Sequence, residues 1–147
     1  MPQSAKLPDC LSDGDYAVLA DFRYEMRCFQ FFSGEAAREA GLTPQQHQAL
    51  LSIRGGAGAT QTVGELAKRL LIKPNSASGL ASRLEEQGML EKVGSADRRS
   101  VTLRLTDKAE DLLAILAREH LAELQRIRPL LRDLVDRVGP KPTGEDR

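Results

Sequence analysis

Residues 62–106 read TVGELAKRLLIKPNSASGLASRLEEQGMLEKVGSADRRSVTLRLT, and this stretch decides the fold. It opens with a helix start signal, because Thr62 followed three residues later by Glu65 forms a capping box in which each side chain accepts a hydrogen bond from the other residue's backbone N–H. Apolar residues then recur at helical spacing over 63–71. The sequence therefore predicts a short helix that packs through one apolar face.

A second helix is predicted to begin at about Pro74, since the missing N–H of proline has no partner in a first helical turn anyway. Its apolar side carries Ala77, Leu80, Ala81 and Leu84. Its outer side is short, polar and nearly free of acid, with Asn75, Ser76, Ser78, Gly79, Ser82 and Arg83. Small hydroxyl and amide side chains let a helix sit deep in a DNA major groove and bond to base edges. An ordinary solvated surface helix is the alternative, although serine and glycine have low helix propensity and are therefore poor choices for such a helix.

A β-hairpin is predicted after this helix. Gly88 is expected to cap the helix C-terminus, Leu90–Val93 to form a strand, and 101–105 to form a half-buried return strand because apolar and polar residues alternate there. The loop between them carries Asp97, Arg98 and Arg99. Two arginines on a narrow loop suit the negative potential of a minor groove, and Asp97 can orient one of them. A solvated turn is the simpler explanation of such a pair, but its position after the second helix favours the DNA role.

Helix, tight turn, helix and hairpin together predict a winged helix-turn-helix that binds duplex DNA. We expect residues 74–83 to contact bases, and Lys73, Arg83 and Lys92 to contact phosphates. Over residues 62–108, nine Lys and Arg face six Asp and Glu, an excess of three positive charges in a chain whose net charge is zero. Positive charge is thus concentrated on the expected DNA-binding segment. This segment lacks aromatic side chains on which unpaired bases could stack, which disfavours single-stranded targets.

The same motifs resemble the MarR family of bacterial transcriptional regulators. The resemblance rests on the runs GLTPQQH at 41–47, VGELA at 63–67 and SASGL at 76–80, and on the D-R-R loop followed by LRLT at 103–106. It covers about residues 16–138 in motif order. It implies a homodimer that binds a pseudo-palindromic operator, usually as a repressor, with recognition helices about 34 Å apart. It also implies release of the DNA by a small phenolic or similar aromatic effector.

The rest of the chain is assigned around this domain. The sequence predicts a mainly α fold with a small β-hairpin wing, a winged helix-turn-helix domain over 41–106, dimerisation helices over 13–40 and 107–138, and flexible ends over 1–12 and 139–147. From Asp107 onward, an apolar seam follows spacings of three and four through Leu113, Leu116, His120, Leu124, Ile127, Leu131, Leu134 and Val138. Such a seam suits a helix of a partner chain, or alternatively the helix's own domain. Pro129 is expected to divide it into one helix ending near 127 and another over 129–138.

The first helix, expected at about 15–39, contains all six aromatic residues of the chain on more than one face. We therefore expect it to lie between its own domain and a partner chain. A small aromatic ligand is hypothesised to bind near Tyr24, Cys28, Phe31 and His47, although aromatics at helical spacing are also typical of plain core. Cys28 is expected to be a small buried hydrophobe rather than a redox switch, since two cysteines make no disulfide framework.

Other functional classes find little support in the sequence. The two histidines lie far apart in sequence and lack neighbouring Cys or carboxylate ligands, so no metal site is expected. No catalytic triad and no phosphate-binding glycine loop is recognisable, so neither a cofactor nor an enzymatic activity is expected. No run reaches the roughly 20 apolar residues of a membrane span and no signal peptide is evident, so we expect a cytoplasmic location without membrane partners. The alternative function is a winged helix that contacts proteins without specific DNA readout.

Overall fold

The computed structural model describes residues 10–94 and 101–138. Its elements in chain order are α1 (Asp13–Glu39), α2 (Pro44–Arg54), a 3-10 turn (Ala57–Ala59), β1 (Thr60–Thr62), α3 (Val63–Leu70), α4 (Pro74–Glu86), β2 (Leu90–Val93), β3 (Thr102–Leu105) and α5 (Asp107–Arg137). Among these helices, none combines the length and the apolarity that crossing a bilayer requires. The chain divides into two compact units, residues 32–121 and the two terminal segments 1–31 and 122–147.

The unit of residues 32–121 is built on a three-stranded antiparallel sheet in the order β1-β3-β2. The predicted hairpin of β2 and β3 is confirmed, with Lys92 opposite Leu103 and Leu90 opposite Leu105. Leu103 and Leu105 are buried while Arg104 between them is exposed, which is the expected alternation of a half-buried strand. The sheet thus offers one apolar face to the core and one polar face to solvent.

Two details of the sheet differ from the prediction. The return strand begins at Thr102, and Val101 lies outside it with an exposed side chain. The third strand, β1, pairs with β3 but was not predicted, because three residues of sequence TQT are too short to show an alternation. Thr62 is the last residue of β1 and also the N-cap of α3, so one residue serves both elements.

The core of this unit is aliphatic and draws on helices and sheet alike. Its largest fully buried side chains are Leu50, Ile53, Leu66, Leu84, Leu103 and Leu116. They come from α2, α3, α4, β3 and α5, so the same cluster fixes the helix-turn-helix and the wing strands. The fully buried Leu66 and Leu84 confirm the apolar faces predicted for the first two helices of the motif.

The unit of the terminal segments contains the first part of α1 and the last part of α5. Val18, Ile127 and Leu134 are buried there, and Arg137 pairs with Asp21 at 3.3 Å. Pro129 does not divide α5, so the predicted helix break is wrong. Pro129 is exposed, and the loss of one hydrogen bond on a solvated face is tolerated where buried residues continue on both sides of it.

Four of the six aromatic residues of α1 are exposed in the single chain, and their expected burial against a partner chain stays a prediction. Tyr16, Phe22, Tyr24 and Phe31 are exposed, whereas Phe29 and Phe32 are half-buried. Two helical segments cannot cover aromatic side chains that point in several directions, which accounts for this exposure. Cys28 is half-buried in the single chain, and its expected role as a small buried hydrophobe stays a prediction. A large apolar surface is therefore exposed on this unit.

Candidate DNA-binding surface

Helix α3 is fixed at its start by the predicted capping box. The Thr62 hydroxyl accepts a hydrogen bond from the Glu65 N–H at 3.1 Å, and the Glu65 carboxylate accepts one from the Thr62 N–H at 2.9 Å. Leu66 and Ala67 are buried beneath the helix. A helix of eight residues would be marginal alone, so the cap and the buried face together hold it in place.

The turn between α3 and α4 is short and well defined. Leu71 adopts the left-handed conformation, with φ of 56° and ψ of 41°, and Lys73 is the N-cap of α4. Pro74 occupies the first turn of α4, as predicted. This geometry confirms the predicted helix, tight turn and helix.

The outer face of α4 is the surface that the sequence predicts. Ala77, Leu80, Ala81 and Leu84 are buried, and this anchors the helix by one side. The opposite side exposes Asn75, Ser76, Ser78, Ser82 and Arg83, with Gly79 half-exposed. No hydrogen bond joins the side chains of Asn75, Ser76, Ser78 or Ser82 to another residue in the described ranges. Their donors and acceptors are therefore available to a ligand on this face.

The N-terminus of α4 differs from those of α2 and α3. Both α2 and α3 carry capping boxes, at Thr43 and Thr62, whereas the Lys73 side chain makes no capping hydrogen bond and the first turn of α4 holds no acid. The first N–H groups of a helix lack partners within the helix, and the helix dipole makes them attractive to anions. This end of α4 is consequently suited to a phosphate group, a feature that sequence inspection did not use.

Exposed basic side chains lie on α3, on α4 and on the wing strand β2. Lys73 and Arg83 are exposed, as are Lys68 and Arg69 in the last turn of α3, and none of the four has an ion-pair partner among the described residues. Lys92 on β2 is exposed too but lies 3.9 Å from a Glu85 oxygen. Surface pairs of this kind contribute little, so Lys92 can exchange that partner for a phosphate. Lys68 and Arg69 were missed as candidates because adjacent basic residues on a helix usually indicate only a solvated face.

The wing strands carry a second ion pair. Glu91 and Arg104 face each other across β2 and β3, and the Arg104 guanidinium donates to the Glu91 carboxylate at 3.0 Å. This pair lies on the polar face of the sheet and stiffens the hairpin near its open end. Asp97, Arg98 and Arg99, which were predicted to enter a minor groove, lie outside the described residues.

The residues hypothesised to bind a small ligand fall in both units. Tyr24 and Cys28 are one helical turn apart on α1, and their hydrogen bond raises the pKa of the Tyr24 phenol above 10.0. Phe31 belongs to the same unit and is exposed. His47 lies in the other unit, where it is buried with its ring centroid 4.8 Å from that of His120.

Helices α2, α3 and α4 and the three-stranded sheet of residues 32–121 define a winged helix-turn-helix protein. Residues 40–100 match the sequence model described as the MarR family. The resemblance to the MarR family that the motifs indicate is therefore confirmed.

Comparison with individual proteins agrees with this family. The chain is 33% identical over 85 residues to the HTH-type transcriptional repressor MdtR of Bacillus subtilis, a match over 54% of this chain and 54% of that protein. The chain thus spans about half the length of the curated relative it matches.

Two solved structures overlap nearly the whole chain and share its fold. NadR, solved in complex with 4-hydroxyphenylacetate, superposes with a TM-score of 0.67 at 20% identity and covers 97% of this chain and 100% of its own. The MarR family regulator Sco3205 of Streptomyces coelicolor, solved in complex with DNA, superposes with a TM-score of 0.61 at 18% identity and covers 95% of this chain and 97% of its own. The likeness of these structures establishes the fold alone.

Proposed function

We propose that this protein is a transcriptional regulator of the MarR type that binds a pseudo-palindromic site in duplex DNA as a homodimer. The observation that carries the proposal is the outer face of α4, where short polar side chains are exposed and unpaired beside an uncapped, acid-free helix N-terminus. In this function Asn75, Ser76, Ser78 and Ser82 contact base edges, and Gly79 lets the helix approach closely. The kinship with MdtR, named as a repressor, supports repression as the outcome.

Phosphate contacts are assigned to the basic residues around this helix. Lys73 and Arg83 lie at the two ends of the exposed face of α4, Lys92 lies on the wing strand, and Lys68 and Arg69 are exposed on α3. The loop residues Asp97, Arg98 and Arg99 are proposed to reach the minor groove, as the sequence predicts. Neutralised phosphates release counterions, so affinity must fall steeply as salt rises.

A homodimer is supported by the apolar surface of the terminal segments. Side chains exposed there in a single chain are Leu11, Tyr16, Leu19, Phe22, Tyr24, Met26, Phe31, Leu124, Leu130, Val135 and Val138. Monomeric proteins seldom expose so many large apolar side chains on so short a stretch of chain, whereas obligate dimer interfaces bury roughly 2,000 Å² or more of such surface. We expect light scattering to give twice the chain mass of 16.1 kDa at micromolar concentration.

The experiment that tests DNA binding is the selection of bound duplexes from sheared genomic DNA, followed by an affinity titration at several salt concentrations. We expect an inverted repeat with half-sites about one helical turn apart. Arg83→Ala should lower the affinity by roughly tenfold and reduce the salt slope by about two for a dimer, one for each lost phosphate contact. Arg118→Ala is the matched control, because it removes an arginine that is likewise exposed, but on α5, and should change neither quantity.

The salt-dependent titration also separates the DNA role from the alternative one. A winged helix that only contacts proteins would give weak binding without sequence preference, and Arg83→Ala and Arg118→Ala would then have similar effects. That result would refute the proposal. Equal loss of affinity in both variants would show that overall charge, rather than the α4 face, is responsible for binding.

Release of the DNA by an aromatic effector is a second part of the proposal. It is supported by the phenolic acid bound to NadR and by the aromatic side chains of α1. Tyr24, Cys28, Phe31 and His47 are the candidate ligand residues. We expect 4-hydroxyphenylacetate or a related phenolic acid to raise the melting temperature of the wild-type protein and to weaken its DNA binding. Tyr24→Ala should remove both effects, and a series of such acids without any effect would refute this part.

A further inference from the structure

Three helices end in the same hydrogen-bonded cap within the unit of residues 32–121, the proposed DNA-binding unit. After α1, the Leu42 N–H donates to the Ala37 carbonyl at 2.9 Å and the Gly41 N–H donates to the Arg38 carbonyl at 3.0 Å. After α4, the Met89 N–H donates to the Leu84 carbonyl at 2.9 Å and the Gly88 N–H donates to the Glu85 carbonyl at 3.0 Å. This pair of bonds is the Schellman motif, and it requires one residue in the left-handed conformation.

The third cap lies in the turn of the helix-turn-helix. The Ile72 N–H donates to the Ala67 carbonyl at 3.0 Å and the Leu71 N–H donates to the Lys68 carbonyl at 3.3 Å, so the bonding is the same. The residue in the left-handed position is glycine in the first two caps, with φ of 81° at Gly41 and 71° at Gly88, but leucine in the third, with φ of 56°. A residue with a Cβ atom is strained in this conformation, which glycine adopts without steric strain.

The Leu71 side chain is not buried in the protein, so burial does not offset this strain. Its side chain is 92% exposed, the largest exposed fraction among the large apolar side chains of the described residues. Its neighbour Ile72 supplies the apolar contact with the core that such caps usually make. Leu71 therefore combines a strained backbone with an apolar side chain left in water, where glycine would avoid both costs.

Backbone strain that the fold does not need is characteristic of sites where the strained residue meets a ligand. Leu71 lies two residues before Lys73, the uncapped N-terminus of α4, and two and three residues after the exposed Arg69 and Lys68. Each of these basic residues is a proposed phosphate contact. An exposed apolar side chain that follows and precedes proposed phosphate contacts in the chain suits the apolar parts of DNA, which are the deoxyribose ring and the thymine C5-methyl group.

We propose that Leu71 is a DNA-contacting residue that packs against the deoxyribose or a thymine methyl group where the N-terminus of α4 enters the major groove. This proposal rests on the DNA-binding function proposed above and extends it to a residue outside the polar face of α4. The left-handed backbone of the turn holds the side chain outward, away from the protein core. Burial of the leucine side chain against DNA then provides the gain that the isolated protein lacks.

The test compares Leu71→Gly, Leu71→Asn and Leu71→Met with the wild type on the best duplex from the genomic selection. Glycine and asparagine accept the left-handed conformation, so both variants should melt at or above the temperature of the wild type. Both should nevertheless bind the duplex about tenfold more weakly as dimers, because two apolar contacts are lost. Leu71→Met keeps the apolar side chain and should remain within about threefold of the wild type.

Two further readouts identify what the side chain contacts. The salt slope should be the same for all four proteins, since no charge changes. Replacing thymines of the duplex by deoxyuridines should abolish the difference between wild type and Leu71→Gly if a thymine methyl is the partner, and should leave it intact if the deoxyribose is. Light scattering should give the same dimer mass for every variant.

The outcomes separate this inference from the proposed function. A wild type that binds no duplex specifically would refute both. A wild type that binds specifically, beside a Leu71→Gly variant of equal affinity, would overturn the role of Leu71 and leave the DNA-binding function in place. A Leu71→Gly variant that no longer dimerises would also overturn the inference, because the residue would then belong to a protein interface.

Discussion

His47 is buried in the unit of residues 32–121, and one of its ring nitrogens lacks a hydrogen bond that would offset this burial. Only 2% of its surface is exposed, and its Nδ1 has no partner among the described residues. By contrast, both ring nitrogens of the neighbouring His120 have hydrogen-bond partners. Its Nδ1 lies 2.7 Å from the Leu116 carbonyl and must donate to it, so its Nε2, 2.8 Å from the Ser33 hydroxyl, accepts a hydrogen bond in the neutral ring.

Replacing His47 by leucine should therefore stabilise the protein. A buried polar atom without a partner costs about 1–3 kcal/mol, and the ring contact with His120 that would be lost is worth about 0.5–1.5 kcal/mol. The difference leaves a gain of roughly 1 kcal/mol in the free energy of unfolding of His47→Leu near pH 7.5. For a chain of this size that gain corresponds to an increase of about 3 °C in melting temperature.

The stability difference should also depend on pH. Burial lowers the pKa of His47 below 6.5, and the nearby His120 lowers it further. As the pH falls below 6.5, the unfolded chain therefore takes up a proton that the folded protein excludes, and the wild type loses stability. His47→Leu lacks this loss, so its advantage over the wild type should be larger at pH 5.5 than at pH 7.5.

The assay is chemical denaturation at pH 5.5, 6.5 and 7.5, at one protein concentration because a dimer's stability depends on concentration. His47→Gln is the matched control, since it keeps a buried polar group but removes the titration. It should flatten the pH dependence without stabilising the protein at pH 7.5. If His47→Leu is no more stable than the wild type and its pH profile is the same, His47 is neither unpaired nor held neutral by burial, and the reasoning fails.

Three further predictions concern the local structure. Thr62→Ala removes the cap of α3 and should lower the free energy of unfolding by about 1 kcal/mol, whereas Thr62→Ser should preserve it; equal loss in both would contradict the cap. Gly56→Ala places a Cβ atom 2.3 Å from the Thr60 carbonyl oxygen and should lower the melting temperature far more than Gly64→Ala, where the Cβ atom meets nothing within 4 Å. Pro129→Ala restores a hydrogen bond in α5 and should stabilise the protein by about 1–3 kcal/mol, with unchanged or lower stability counting against a continuous helix through this position.

The helix-turn-helix was predictable because its signals are local. The capping box of Thr62 and Glu65 involves residues three apart, and Pro74 marks the start of α4 by its own chemistry, so neither depends on distant parts of the chain. The buried side of α4 follows from helical periodicity alone. Strand β1 was missed because its pairing with β3 joins residues about 40 apart and leaves no pattern in its three residues.

The failed prediction at Pro129 has a different physical origin. The usual free-energy cost of a proline inside a helix is an average over many positions. Whether a proline breaks a particular helix depends on whether the helical turns on both sides of it are packed against the protein. Ile127 and Leu134 are buried on either side of it, and the sequence shows that both are apolar without showing that both are packed. The relation of His47 to His120 was likewise invisible, since the two rings come from helices 73 positions apart in the chain.

The α4 surface shows why local signals are nevertheless informative about function here. The residues that anchor the helix follow Ala77 by three, four and seven positions, at Leu80, Ala81 and Leu84, which places them on one side of the helix. The same period places the polar residues between them on the opposite side. Burial of one set therefore determines the exposure of the other. A residue such as Leu71 escapes this rule, because it lies in a turn where only the backbone conformation determines the direction of the side chain. Its role becomes apparent when its strained cap is compared with the two glycine caps of the same unit.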